Sequence, residues 1–185
     1  MSGVLQGTVL AAILFVIMIS DIDEIPDPKR IREFDIREKY ACFLQKNFQS
    51  KINLTKLINI DTFESLTATF KTSDKKYKLE TIQGLIDFTN DINSCLKQRD
   101  EIITELSEIF KNREKLDNGK TVHWAEKNSY TYDYYIFFGS KSDWPIDHIL
   151  VSCYDWSKKS GYMDHLRVAI VKEDYMRWLE KLSKN

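Results

Sequence analysis

Apolar and polar positions divide the chain into stretches of different period. From Val9 to Ile19 no side chain is polar. Extended back to Val4, this gives a candidate helix of about 16 residues, roughly 24 Å long, against the about 20 residues that a bilayer span wants. Pro26 and Pro28 end it. Ile31, Phe34, Ile36, Tyr40, Phe43, Leu44 and Phe48 then recur at helical spacing between charged residues, which predicts an amphipathic helix over 29–49. Residues 51–72 fit two periods: Ile52 to Ile58 reads as strand, while Phe63, Leu66 and Phe70 favour a short helix after Asp61. From Leu79 to Leu116, the residues Ile82, Leu85, Ile92, Leu96, Ile103, Leu106 and Phe110 fall on alternating three- and four-residue steps, with Thr89 and Arg99 filling two slots. That predicts a long helix, or two broken near Gln98-Arg99-Asp100. Ile86, Phe88, Cys95, Ile102 and Ile109 widen the stripe beyond a coiled-coil seam, which favours packing on a globular body. An oligomeric contact through 79–116 remains the alternative.

After Asn118-Gly119, read as a turn, the pattern changes. β-branched and aromatic residues fill four runs, Thr121–Glu126, Tyr130–Phe138, Ile146–Tyr154 and Leu166–Lys172, separated by turn residues. Glu173–Leu182 closes the chain as a helix with Tyr175, Trp178, Leu179 and Leu182 on one face. The expected class is therefore α+β: an N-terminal apolar helix, long amphipathic helices, then a three- to four-stranded antiparallel meander and a C-terminal helix. Two units are expected, an apolar arm at 1–25 and a single α+β domain at 26–185.

Charge and cysteine content narrow the partners. The chain has 185 residues, 27 basic and 28 acidic side chains and a net charge of −1. This argues against a dedicated nucleic-acid binder. Cys42, Cys95 and Cys153 are too few and too scattered to read as a disulfide framework or a zinc ribbon. No Lys or Arg precedes Lys29, and Met18 stands where a signal-peptidase site wants a small residue. An intracellular location is therefore expected over a secreted one, with membrane association through residues 4–20 as the alternative. Asn53-Leu54-Thr55 is a glycosylation sequon that matters only on secretion.

Ser2-Gly3-Val4-Leu5-Gln6-Gly7-Thr8-Val9-Leu10, followed by Leu14-Phe15 and Ile19-Ser20-Asp21-Ile22, resembles the palm segment of non-LTR retrotransposon reverse transcriptases. There a Gly-Val-Pro-Gln-Gly-[Ser/Thr]-Val-Leu box opens a helix beside the template nucleotide, and glycine permits close backbone approach. Leu5 stands where the family has Pro, and the likeness covers residues 2–24. The resemblance implies palm ancestry, not polymerase activity. Such palms hold two metal ions on one upstream carboxylate and an adjacent Asp-Asp pair downstream, and the sequence contains no Asp-Asp dipeptide.

All four Trp, all three His and seven of the nine Tyr lie after residue 119. Asp147-His148 and Asp164-His165 echo one another, but a hairpin centred near Lys159 pairs His148 with Ile170 and His165 with Cys153. The imidazoles then stand about 17 Å apart along the ladder, too far to share a metal ion. A restriction-endonuclease-like nuclease would use Asp147 and Lys172 around Mg²⁺, the one cofactor any reading implies. Ile170 occupies its second acidic slot. Asp147, His148, His165 and Lys172 are thus the weak catalytic candidates. Tyr130, Tyr132 and Tyr134 alternate onto one strand face, with Trp124 beside them, and form the candidate binding surface. The expected function is that of a non-catalytic protein-interaction module carrying a reverse-transcriptase-like remnant. The nuclease and the membrane-anchored or secreted protein are the alternatives.

Overall fold

Strand, not helix, is the dominant element. The computed structural model describes residues 50–53, 63–70, 79–124 and 126–183. The apolar arm and the helix expected over 29–49 lie outside them. The strands are β1 (Ser50–Asn53), β2 (Ser65–Phe70), β3 (Leu79–Phe88), β4 (Lys115–Val122), β5 (Tyr130–Phe137), β6 (His148–Asp155) and β7 (Asp164–Val171). Helix α1 (Ile92–Ile109) joins β3 to β4, a 3-10 turn (Lys141–Asp143) lies between β5 and β6, and α2 (Glu173–Ser183) follows β7. The strands form one seven-stranded sheet in the order β1-β2-β3-β7-β6-β5-β4, with every neighbouring pair antiparallel. Two hairpins lead into β3. From there α1 carries the chain across to the far edge, and a meander returns strand by strand until β7 closes against β3. Among the described residues, no helix is long and apolar enough to cross a membrane.

This corrects the expected class. The domain is sheet-dominated, not a helix-rich α+β fold, and the long helix over 79–116 is three elements. Its first third is β3, whose residues 79–82 and 84 are all buried. Glu80 and Thr81 are buried between Leu79 and Ile82, so apolar residues recur in three-residue steps within a strand and satisfy a heptad count by coincidence. Gly84 and the β-branched Thr81, Ile82 and Ile86 tip it to strand. Asn90 turns the chain at φ 53°, and Asp91 caps α1 by accepting a hydrogen bond from the Ser94 N–H (3.1 Å). Asn118-Gly119 is not a turn but a β-bulge inside β4, with Gly119 at φ +59°. Residues 65–70, read as a short helix, are β2: Leu66 and Ala68 alternate inward with Thr67 and Thr69 between them.

The core lies mainly between the sheet and α1. Cys95, Ile102 and Leu106 of α1 are buried against Ile82, Ile136, Ile149, Val151, Leu166, Val168 and Ile170. The stripe read as a possible oligomer seam is thus spent on the sheet. A smaller cluster on the opposite face joins Leu150, Ala169 and Val171 to Tyr135 and to Tyr175 and Met176 of α2. Arg99, which fills a polar slot in the stripe, is buried. It donates to the Tyr132 carbonyl (3.0 Å) and pairs with Asp100 and Asp117 (2.8 Å each), tying α1 to β4 and β5.

The β6–β7 register differs from the expected one by a single residue. His148 stands opposite Val171, Cys153 opposite Leu166 and His165 opposite Tyr154. Direct partners share a face, so this step puts Cys153 under α1 and His165 on the other side. There Cys153 forms a disulfide with Cys95.

Candidate functional site: the aromatic end of the sheet

The β3–α1, β4–β5 and β6–β7 connections leave the sheet at the same end, which the ladders fix by pairing Val122 with Tyr130, Tyr130 with Asp155 and Tyr154 with His165. Backbone hydrogen bonds set the loops. The His123 N–H donates to the Ser129 carbonyl (2.9 Å), the Ser157 N–H to Ser129 Oγ (2.9 Å) and the Trp156 N–H to Asp164 Oδ1 (2.8 Å). On that scaffold the rings form a chain. Trp156 lies 4.5 Å from His123 and 4.8 Å from Tyr162, Tyr154 stacks on His165 at 4.5 Å, and Trp124 lies 5.9 Å from His123.

The inner members are structural and the outer ones face water. His123 is buried, and burial holds its pKa below the usual value against the opposing pull of Asp133 and Glu126. His165 is lowered for the same first reason, opposed mainly by its hydrogen bond to the Met163 carbonyl. Its Nδ1 lies 3.1 Å from that carbonyl and 3.3 Å from the Trp156 indole nitrogen, so one tautomer donates to the former and the other accepts from the latter. Outside this shell Trp124 is 91% exposed, Tyr162 62% and Met163 51%. Solitary exposed apolar residues are ordinary; here three stand on the β4–β5 and β6–β7 loops at one end of the sheet. Lys127, Lys158 and Lys159 on the same loops are exposed. Of the acids nearby, Asp164 is buried and accepts from the Trp156 amide, and Asp155 pairs with Lys120 (3.9 Å).

The other predicted site residues do not assemble. Tyr132 and Tyr134 pack against the core on the α1 side, with the Tyr134 hydroxyl 3.3 Å from Ser107 Oγ, and Tyr130 lies under the Lys120 ammonium at 3.9 Å. Trp124 instead meets His123, and through it the chain of rings that runs to Trp156 and Tyr162. Asp147 Oδ1 accepts from the first amide of α2, Glu173 N–H (2.7 Å), and Oδ2 pairs with Lys172 (3.0 Å). Both oxygens that a nuclease would aim at a metal are thus engaged within the fold. His148 is buried among Tyr135, Phe137 and Trp144, and its Nδ1–H donates to the Ile146 carbonyl (2.8 Å). It lies six ladder positions from His165, roughly 20 Å along the strands. The Cys153 sulfur, bonded to Cys95, is no nucleophile. Among the described residues, no three His, Cys, Asp or Glu side chains gather to hold a metal ion.

A polar row also crosses the face opposite α1. Asp133, Ser152 and Arg167 are successive ladder partners. Thr121 shares a hydrogen bond with Thr131 (2.9 Å), Thr131 and Ser152 donate to the two Asp133 oxygens, and Arg167 Nη1 donates to the Tyr154 hydroxyl (3.2 Å). Burial pushes the Tyr135 and Tyr175 hydroxyls up, so both remain protonated at neutral pH. The row is thus a hydrogen-bonded network that ties β4, β5, β6 and β7 together across one face of the sheet. Its signal in the sequence is alternation, since Asp133, Ser152 and Arg167 all fall on the side of their strands away from α1. No family model, curated protein or solved structure matches the chain.

Proposed function

We propose that the chain is a non-catalytic binding module whose contact surface is the aromatic end of the sheet. Its partner is a protein segment that pairs apolar side chains with carboxylates. The observation that carries this is the exposed set Trp124, Tyr162 and Met163, on loops joined by a hydrogen-bonded aromatic scaffold and bordered by Lys127, Lys158 and Lys159. Rigid aromatic anchors lose little rotamer freedom on binding and dominate interface energies. The lysines add steering toward an acidic segment. On this reading residues 2–24 are reverse-transcriptase-like sequence put to no polymerase use.

The test is selection from a displayed peptide library against the full chain, in parallel with a Trp124→Ala/Tyr162→Ala variant. Selected peptides should combine Asp or Glu with aromatic or aliphatic residues. Two anchors of about 2 kcal/mol each should weaken binding to the variant by well over tenfold. Thermal unfolding should stay near that of the parent, since Trp124 touches so little. Peptides that bind parent and variant equally, or that show no acidic bias, refute the reading.

A further inference from the structure

Cys95 and Cys153 are joined by a disulfide between α1 and β6, with Cα atoms 6.1 Å apart, and neither residue has any exposed surface. They lie 58 residues apart in sequence, Cys95 in the crossover helix that carries the chain from β3 to the far edge and Cys153 in the meander that returns from it. We infer that the chain acquires its fold in an oxidising compartment and that this bond is a permanent structural crosslink, not a reversible switch. Disulfides persist in secreted proteins and in the lumen of the secretory route, and are rare where glutathione keeps thiols reduced. A switch needs a thiolate to reach one of the sulfurs. Here both belong to the core cluster that contains Ile102, Leu106, Val151 and Leu166, and no solvent reaches either.

Two sequence features agree with this route. The eleven apolar residues Val9–Ile19 have the length of a signal-peptide core, about 7 to 15 residues. Asn53-Leu54-Thr55 is an acceptor that has meaning only in a secretory lumen. The inference reverses the intracellular location expected from the missing basic n-region. It is independent of the aromatic surface, because α1 and β6 are linked whatever the loops bind.

Formation balances as an exchange with the disulfide of a protein oxidoreductase. One cysteine thiolate attacks that disulfide and gives a mixed disulfide. The second thiolate then displaces the oxidoreductase, which leaves as a dithiol with the two electrons, and the protons lost from Cys95 and Cys153 end on its thiols or in solvent. By chain entropy, a loop of this length shifts the folded-to-unfolded ratio by roughly a thousandfold.

The test makes the full chain, with Cys42→Ser so that tags report only the pair, in the bacterial cytosol and, behind a cleavable leader, in the periplasm. Thiols are trapped in acid and counted with a maleimide mass tag. The periplasmic product should take no tag before reduction and two after it. The cytosolic product should take two at once and either melt lower or fail to stay soluble. A periplasmic product that takes the tag, or one no more stable than the cytosolic product, overturns the inference. Refolding of purified chain provides a second reading. Native tryptophan fluorescence should return more fully at a secretory glutathione poise than at a cytosolic one, and equal recovery overturns the inference as well.

Discussion

A methyl group added at Gly84 would meet the ring of Phe63. Gly84 lies in the sheet interior, opposite Leu66 of β2 and Val168 of β7, and Phe63 covers it while only 3% exposed. A Cβ built there would stand 2.5 Å from Phe63 Cδ1, 2.6 Å from Cε1 and 2.7 Å from Cγ. Carbon atoms pack at about 3.5 to 4.0 Å, so in Gly84→Ala the ring must retreat by about 1 Å into a filled core. Overpacking of that kind costs about 1 to 3 kcal/mol. Expelling the ring instead forfeits about 1.5 to 3 kcal/mol of burial. The opposing gain, from replacing a flexible glycine inside a strand, is about 0.5 to 1 kcal/mol. The clash wins, and Gly84→Ala should destabilise the domain by about 1 to 2 kcal/mol. Urea unfolding of the four proteins in a cycle with Phe63→Ala checks the cause as well as the size. Once the ring is gone the same substitution should be neutral or slightly stabilising, giving a coupling energy above about 1 kcal/mol. Additive effects, or a Gly84→Ala protein as stable as the parent, would refute this packing.

Two further outcomes follow from groups first considered for catalysis. Asp147→Ala removes the acceptor for the first amide of α2 and should cost about 1 kcal/mol in thermal unfolding. The half-exposed Lys172 pair adds little, so Asp147→Asn, which keeps an acceptor oxygen, should recover most of the loss; equal losses from both variants would sink the capping role. His148 bears on pH. Burial holds its pKa below 6.5 and the Arg167 charge lowers it further, against the raising effects of the Ile146 carbonyl and Asp147. The unfolded chain therefore takes up a proton first. Stability is fully present above about pH 6.5 and falls as pH drops from there toward the lower folded value, at up to about 1.4 kcal/mol per pH unit for this one site. Unfolding curves between about pH 7 and pH 5 should lose that part of their slope in His148→Leu; an unchanged slope would show that the buried imidazole is not responsible.

The strands β5 to β7 and the closing helix were legible because each strand is short, rich in β-branched and aromatic residues, and bounded by turn residues; β4 was not, since Lys115–Val122 overlaps the expected run Thr121–Glu126 by two residues only. Elements whose apolar residues do not alternate were not. In Leu79–Phe88 residues 79–82 are buried in succession although Glu80 and Thr81 are polar, and a helical count fits its apolar positions as well as a strand count. The bulge at Asp117–Gly119 was hidden for a different reason, since Asn-Gly chemistry serves a hairpin turn and a bulge alike. In the site, Trp124 could be singled out as an aromatic residue, but its company could not. Its neighbour His123 meets Trp156, which lies on another loop with Tyr162, and only the sheet order brings the two loops together.

The candidate chemistry turned on the smallest of these differences. With the β6–β7 hairpin paired one residue out, Cys153 faces His165 and resembles a nucleophile beside its base. In the observed register Tyr154 takes that place and Cys153 faces Leu166 beneath α1. Side chains alternate along a strand, so the single step exchanges the faces of the whole segment. It is selected by burial: Ile149, Val151 and Cys153 reach the core with Leu166, Val168 and Ile170, while Ser152 and Arg167 are released to the polar row. Pairing Cys153 with His165 would place an imidazole and an arginine among the apolar residues that α1 covers, at a desolvation cost. The same force that buries the apolar residues of β6 and β7 therefore brings Cys153 to Cys95 and removes the reactive thiol.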